Sequence, residues 1–485
     1  MTRLQTSIEN ADMQCTLARH LDASVIEGVG RYLRAAGLGD AIDFERRMQF
    51  DRFEPWMCGA STQEGAAASL YETLHCGRAS RSAYIPPPQL NALSECNLAQ
   101  FSDGEMLPGR WRLSHFRNLF CASDVAPSRA SQVYVGDDSL LFSRFLLSQP
   151  RMDRGLDIGS GSGLSTVALA QNCRDVVGID VVAECSDAGY LTAGLNGVSS
   201  RCSFLASAVE EFTPQTRFDI VAANPPGVPV PAGITYSPAG NGGKDGTVNV
   251  LRFLEAGAEF CRGDGMLAMR FQSVGNDREI FAIRTIADLA RARRWDVEFF
   301  TDILVPIEVR TALTVRNAQS LNPEIPKDTL LGRLDQEMKH LGATTYSSSS
   351  LRVRLGGSGQ VTSQACHTGL SLDARIRNRR SVLTRSDIDS TLQKFIVAIG
   401  NMPGIYWRLA DWTELTKMIR EFETVCQSIV GAESPREALA LVYPHSLSGP
   451  YVRPRALAIP FLAAVQSLCL TGAIKIEREI HAASH

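Results

Sequence analysis

The pattern of apolar and polar positions divides the chain into three stretches of different rhythm. From about residue 17 to 120 the rhythm is mostly helical. Leu17–Leu38 repeats apolar residues at three- and four-residue spacing and stops at Gly37 and Gly39, and Gly65–Cys76 repeats the pattern. After the turn at Pro86-Pro87-Pro88, Gln89–Ser94 reads as a short helix, and MLPGRWRLSHFRNLF alternates enough to form a small β-wing. The expectation for residues 1–120 is a helical, winged-helix-like N-terminal domain.

The middle of the chain changes period. RGLDIGSGSG, DVVGID, CSFLAS, FDIVAANPP and GMLAMRF are short apolar, β-rich runs, separated by segments long enough for crossover helices. That is the βαβαβ rhythm of an α/β, Rossmann-like doubly wound, mostly parallel sheet, whose ligands bind at the carboxyl ends of the strands. A helix over Asp277–Arg294, a strand around Val297–Phe300, a helix over Lys327–Leu341 and a strand near Leu351–Leu355 are expected to complete the sheet by about residue 358, closing a second domain at 121–358. From Gly356 the composition is that of a linker (GGSGQVTSQ). Helical patterns follow at Ser386–Ile399, Trp412–Val430 and Arg455–Ile474, predicting a helical C-terminal accessory region over 359–485. The last of these holds the most apolar run, LAIPFLAAVQSLCL, which Pro460 and Gln466 interrupt; it reads as a buried helix or a homodimer contact rather than a membrane anchor.

Composition narrows the class. The chain has 485 residues, 44% hydrophobic and 21% charged, the balance of a globular protein of two or three domains. A formal net charge of -3 gives no global positive field, so nucleic acid is a disfavoured partner. The local run of Arg375, Arg377, Arg379 and Arg380 reads as a solvated helix face. Twelve cysteines are scattered without a C-x-x-C pair, and Cys366 beside His367 lacks a second ligand pair, so no metal site is expected. The first residues carry no apolar leader core, and no stretch of eighteen uninterrupted apolar residues occurs, which points to a cytoplasmic protein with no membrane contact.

Candidate chemistry begins at Leu156–Gly163, LDIGSGSG. A strand ends at Asp157–Ile158, and Gly159, Ser160, Gly161 and Gly163 form a tight turn into the helix LSTVALAQ. Such a turn fits nicotinamide enzymes as well as methyltransferases. Asp157 is awkward beside a pyrophosphate but suits the cationic amino and sulfonium end of S-adenosylmethionine. Asp180 closes the second strand seventeen residues after Gly163, placed to accept hydrogen bonds from both ribose hydroxyls. Ser207 and Ala208, after the third strand, would border the adenine. The alternative is that both aspartates merely cap loops.

Asn224-Pro225-Pro226 ends the fourth strand as FDIVAANPPG. With these residues in place, the chain resembles the class I S-adenosylmethionine-dependent methyltransferases, in particular the small-methyltransferase branch that includes the release-factor glutamine methyltransferases and the adenine-N6 enzymes. The resemblance covers roughly residues 117–320 at motif level and extends toward 358. It implies that the Asn224 side-chain oxygen and the carbonyl after it accept hydrogens from a substrate nitrogen and aim its lone pair at the methyl carbon, with Pro225 and Pro226 shaping the site. Methyl transfer is an in-line displacement on an activated sulfonium, so alignment and proton removal are the protein's tasks and no strong nucleophile is needed. Gly227 departs from the family, which has an aromatic ring there to stack on a flat amide or base; Tyr236, in the next loop, is the candidate to supply one. Gly242-Gly243-Lys244-Asp245-Gly246 also resembles a family segment, with Asp245 read as a helix cap. VYVGDDSLLFSRFLL (Val133–Leu147) resembles the segment that closes over the methionine moiety; Asp137, Asp138 and Ser139 start its helix, as cap alone or as cap and cofactor contact.

The leading expectation is N-methylation of a small-molecule amine, amide or guanidine nitrogen, in an amino-acid-like or specialised metabolite. Methylation of a protein glutamine or of RNA is the second reading, and a donor-binding but inactive regulatory protein the third.

Overall fold

In the computed structural model the described residues are 21–42, 65–124, 133–276, 278–365, 375–378, 383–400, 421–433 and 473–477, with single positions at 437, 464 and 468. Two apolar strands make the centre: β6, Met152–Ile158, and β9, Phe218–Ala223, pair in parallel with Leu156 opposite Val221 and Ile158 opposite Ala223. Every residue of Phe218–Ala223 is buried, as a parallel strand covered on both faces requires.

From β6 the sheet grows outward through β7, Cys173–Asp180, to β8, Cys202–Ala206. From β9 it runs through β10, Cys261–Gly275, then β12, Thr345–Arg354, then β11, Asp296–Pro306, to β13, Val361–Ala365. Only β12 is antiparallel to its neighbours; the other pairings are parallel. This is the doubly wound α/β architecture expected. One face is covered by α4, Asp137–Leu147, α5, Leu164–Ala170, and α6, Ala183–Leu195; the other packs α7, Val248–Phe260, and α8, Phe281–Arg293, on Leu156, Val221 and Leu267. α9, Ile307–Gln319, and α10, Lys327–His340, follow beyond β11.

The N-terminal region combines α1, Ala23–Ala35, a helix α2 at Ala66–Leu70 continued by a π-helical turn to His75, and α3, Pro87–Glu95. A three-stranded sheet, β1 (Ser80–Arg81), β3 (Glu105–Pro108) and β2 (Ala99–Ser102), and a hairpin of β4, Trp111–Phe116, with β5, Leu119–Asp124, complete it. The hairpin is no free wing, because Ala122 N donates to Thr192 Oγ1 (3.0 Å) and the Asn196 side chain exchanges two hydrogen bonds with the Phe120 backbone (3.0 and 2.7 Å). Ile26, Leu33, Leu70 and Trp111 share one core with Cys185, Ala188 and Leu191 of α6. The boundary expected at residue 120 therefore falls inside β5, a strand whose hydrogen bonds reach across it.

Three expectations are corrected. The Gly/Ser-rich segment after Gly356 is not only a linker: Val361–Ala365 joins β11 as an edge strand, because Asp296 Oδ1 accepts from the backbone N–H groups of Ser358 and Gln360 (2.8 and 3.0 Å) and folds the chain back. The basic run is not a helix face, since Arg375–Asn378 is a strand, β14, paired with β15, Ile474–Glu477. The C-terminal region is consequently not all helical, although α11, Arg385–Gly400, and α12, Phe422–Gly431, pack through Phe395 and Phe422. Leu17–His20, Cys366, His367, Arg379, Arg380, Trp412–Arg420 and most of Arg455–Ile474 lie outside the described residues. Among the described residues no helix is long and apolar enough to cross a membrane.

The docking of α1 on α6 is a backbone-close contact at Gly30, where an added Cβ would stand 2.2 Å from the Leu195 carbonyl oxygen. At Gly28, one turn side away, the nearest atom is the flexible tip of Arg31 at 3.9 Å. Gly30→Ala is expected to destabilise the chain by about 1–3 kcal/mol despite its better helix propensity, whereas Gly28→Ala should be neutral or stabilising by up to about 1 kcal/mol. Urea unfolding of the two variants reads the difference, and equal effects would mean that α1 does not dock as described.

Candidate active site

The site lies where strand order reverses, at the adjacent carboxyl ends of β6 and β9, the position at which doubly wound sheets bind ligands. Beyond Ile158 the Gly159 and Ser160 N–H groups both donate to the Ile179 carbonyl (2.8 and 3.0 Å), which turns the loop over the end of β7. Gly161 and Gly163 have φ of +52° and +77°, values that a side chain resists. They are glycines for different reasons. At Gly163 a Cβ would lie 2.5 Å from Gly189 Cα, so this glycine lets α5 and α6 touch; at Gly161 nothing lies within 4 Å, so the loop there faces open space.

Asp180 clamps that loop. Its Oδ2 accepts from Gly161 N (2.9 Å) and its Oδ1 from Val182 N (3.0 Å). Burial pushes its carboxyl above the ordinary range, against the lowering effect of those N–H groups. The neighbouring Val181 is 74% exposed at the mouth of the loop. Ser207 N donates to the Asp180 carbonyl (2.8 Å), so Ser207 and Ala208 do stand beside the clamp, but Ser207 is buried with its hydroxyl turned onto the Ala208 carbonyl (3.0 Å).

Asp157 lies inside the end of β6. It is fully enclosed, and its Oδ2 accepts from Ser165 Oγ (2.6 Å) and Thr166 Oγ1 (2.7 Å) in the first turn of α5. Its Oδ1 has no hydrogen-bonding partner among the described residues. Burial pushes this carboxyl up to about 6, with the two hydroxyls opposing and Asp180 adding to the rise. A buried acceptor left unsatisfied is costly, and the amino group of S-adenosylmethionine is of the chemistry to satisfy it; the open side at Gly161 and the twin acceptors of Asp180 fit its remaining parts.

At the other strand, Asn224 follows the last residue of β9, with Pro225 buried and Pro226 half-buried after it. Asn224 Nδ2 donates to Asp138 Oδ2 (3.1 Å) at the second residue of α4, and Asn249 Nδ2 donates to the Pro226 carbonyl (3.3 Å). The structure explains Gly227: a Cβ there would meet Gln272 Cβ and N at 3.1 Å, while Gly242 and Gly246 approach its other side so closely that their own Cβ atoms would clash with it. A side chain there would require Gln272 to shift by a few tenths of an ångström. Tyr236 packs its ring on Gly240 and receives a hydrogen bond from Asn317 (3.3 Å), which makes it part of the loop's own core. Asp245 Oδ1 accepts from Thr247 N (3.0 Å), but the cap position of α7 belongs to Thr247.

Three residues that sequence reasoning missed, Arg270, Arg310 and Tyr346, stand beside this edge. Arg270 is 1% exposed and donates to Ser348 Oγ (2.8 Å) and Ser350 Oγ (3.2 Å) of β12. Arg310 donates to Gln272 Oε1 (3.2 Å) and lies 4.8 Å from the Tyr346 ring centroid. Burial raises the Tyr346 phenol, opposed by Arg310 and Arg270 and reinforced by Asp138 and Tyr236. An arginine inside the apolar run GMLAMRF was the available signal; α9, which carries Arg310, was not recognised at all.

Because the folded chain holds the Asp157 proton up to about pH 6 and the unfolded chain releases it near 3.8, this group's contribution to stability is full at low pH and is lost as pH rises through about 6. Asp157→Asn keeps an acceptor for Ser165 and Thr166 but carries no charge. Relative to the parent, its unfolding free energy is expected to rise by roughly 2–3 kcal/mol between about pH 4 and about pH 7. Parallel urea-unfolding behaviour at both pH values would contradict the buried placement of Asp157.

No family model matches the chain. It is similar to the tRNA1(Val) (adenine(37)-N6)-methyltransferase of Pedobacter heparinus, 36% identical over 75 residues, 15% of this chain and 31% of that protein. It is also similar to the protein-L-isoaspartate O-methyltransferase of Myxococcus xanthus, 30% identical over 129 residues, 24% of this chain and 60% of the other. The chain thus spans less than two thirds of the length of the relatives it matches. Among solved structures, a SAM-dependent methyltransferase from Geobacter sulfurreducens in complex with S-adenosyl-L-homocysteine is 16% identical, with a TM-score of 0.29 over 47% of this chain and 94% of that one.

Proposed function

We propose that the chain is an S-adenosylmethionine-dependent methyltransferase acting on a small-molecule amine, amide or guanidine nitrogen. The observation that carries this reading is the Asn224 amide at the end of β9, held through its NH2 by Asp138, beside the loop that Asp180 clamps. Asp180 would take the ribose hydroxyls, Asp157 Oδ1 the donor's amino end, and Ser207 and Ala208 the edge of the adenine. When bound, the donor supplies an already activated methyl group. The chain's own residues then have to orient the acceptor and exclude water. Asn224 Oδ1 accepts a hydrogen from the acceptor nitrogen and so aims its lone pair. Pro225 and Pro226 stiffen the backbone that carries the amide, and Asn249 holds the Pro226 carbonyl in place. A small acceptor is favoured by the closed loop around Gly227 and by a net charge of -3 that draws no phosphate backbone.

Similarity to an adenine-N6 tRNA methyltransferase makes RNA the second reading. Incubation with labelled donor and separate metabolite, protein and RNA fractions is expected to place label in metabolites; label only in macromolecules would overturn the small-molecule assignment. In calorimetry with S-adenosylhomocysteine, Asp180→Ala should weaken binding by about 1–3 kcal/mol. Asn224→Ala should bind it as the parent does and lose turnover, whereas donor binding without turnover in the parent would identify a regulator.

A further inference from the structure

A primary amide has two unlike ends, and which end of Asn224 meets an acceptor decides what the acceptor can be. Oδ1 attracts an N–H group, whereas the NH2 repels it. The Asp138 carboxylate settles the choice, because it can only accept: at 3.1 Å from Asn224 Nδ2 it turns the NH2 toward α4 and leaves Oδ1 on the opposite side. Asp138 is well placed for this, at the second residue of α4, where a helix N-terminus favours negative charge. Its segment is also tied down, with Ser139 Oγ accepting from Gly136 N and Ser143 donating to the Ser139 carbonyl. Half-buried and on a loop, Asn224 has a single side-chain hydrogen bond described, the one to Asp138.

We propose that Asp138 is a positioning residue that sets the polarity of the Asn224 amide and so makes the site selective for an acceptor atom bearing a hydrogen-bond donor, a nitrogen with N–H. The proposal rests on the donor-binding reading above. It separates the helix-cap role of Asp138 from a role exerted through Asn224, and it gives the contact between α4 and the end of β9 a function.

The test needs no knowledge of the natural acceptor. In sinefungin a carbon bearing an amine replaces the sulfur of S-adenosylhomocysteine, so its amine projects to where the acceptor nitrogen belongs, while the rest of the ligand is shared. Calorimetry on the full chain compares the two ligands for the parent, Asp138→Ala, which leaves the Asn224 NH2 without that acceptor, Asn224→Ala and the double variant. The parent is expected to prefer sinefungin by about tenfold, the size of one charge-assisted hydrogen bond. That preference should vanish in either single variant and fall no further in the double one, with S-adenosylhomocysteine affinity within about twofold throughout. An unchanged preference in Asp138→Ala overturns the proposal. So does an equal loss in the Asn224→Ala background, which would mean that Asp138 acts by its charge alone. A parent that binds S-adenosylhomocysteine without preferring sinefungin overturns this proposal and leaves the donor reading standing; a parent that binds neither ligand overturns both. If Asp138→Ala loses S-adenosylhomocysteine binding, Asp138→Leu repeats the comparison, and the same loss there assigns Asp138 to the fold or the donor and ends the proposal.

Discussion

The reversal of strand order between β6 and β9 is the constraint on which the site depends. Leaving β6, the chain crosses one face through α5 to reach β7; leaving β9, it crosses the opposite face through α7 to reach β10. The two crossovers diverge, and the strand ends between them are left uncovered. Register then puts Asp157 opposite Ala222 and Ile158 opposite Ala223, so the glycine loop and Asn224 emerge side by side. Residues 65 positions apart in the chain come together because two strands pair in parallel.

The two halves of the crevice are built on different physical terms. On the loop half, steric closeness dominates: Gly163 against Gly189 seats α5 on α6, and Phe204 lies against Gly189. Onto that base the fold places a buried carboxyl with one unsatisfied oxygen and a second carboxyl held by two backbone N–H groups. Such groups are costly in a folded chain and are retained where they serve a ligand. The other half is polar in its interior. Arg270 is buried with serine hydroxyls of β12, Arg310 with Gln272 and the face of Tyr346, and Asp138 with the Asn224 amide. Polar groups in these positions fix directions in a way that apolar packing does not.

The N-terminal region belongs to this design. Its core continues into α6, and Arg34 on α1 reaches the Leu195 carbonyl (2.7 Å) and Asn196 (2.8 Å) at the end of that helix. The same Asn196 holds the β4–β5 hairpin. Residues 65–124 are therefore braced on the helix that follows the Asp180 clamp.

By itself the sequence determined the strand rhythm, the glycine turn after Asp157, the acidic end of β7 and the position of Asn224-Pro225-Pro226 at the end of β9. Each of these is a local property: apolar runs of strand length and turns that only glycine or proline makes readily. Tertiary structure alone decided the rest. Asp157 turned inward because two hydroxyls one helical turn into α5 lie closer than solvent. Gly227 is glycine where Gln272, Gly242 and Gly246, distant in sequence, crowd its backbone. GGSGQVTSQ pairs as a strand because Asp296 folds it back, and Arg270 and Arg310 meet the acceptor edge because β10, β12 and α9 assemble there. Such outcomes depend on which distant atoms approach within a few ångströms, and periodicity along the chain carries no record of that.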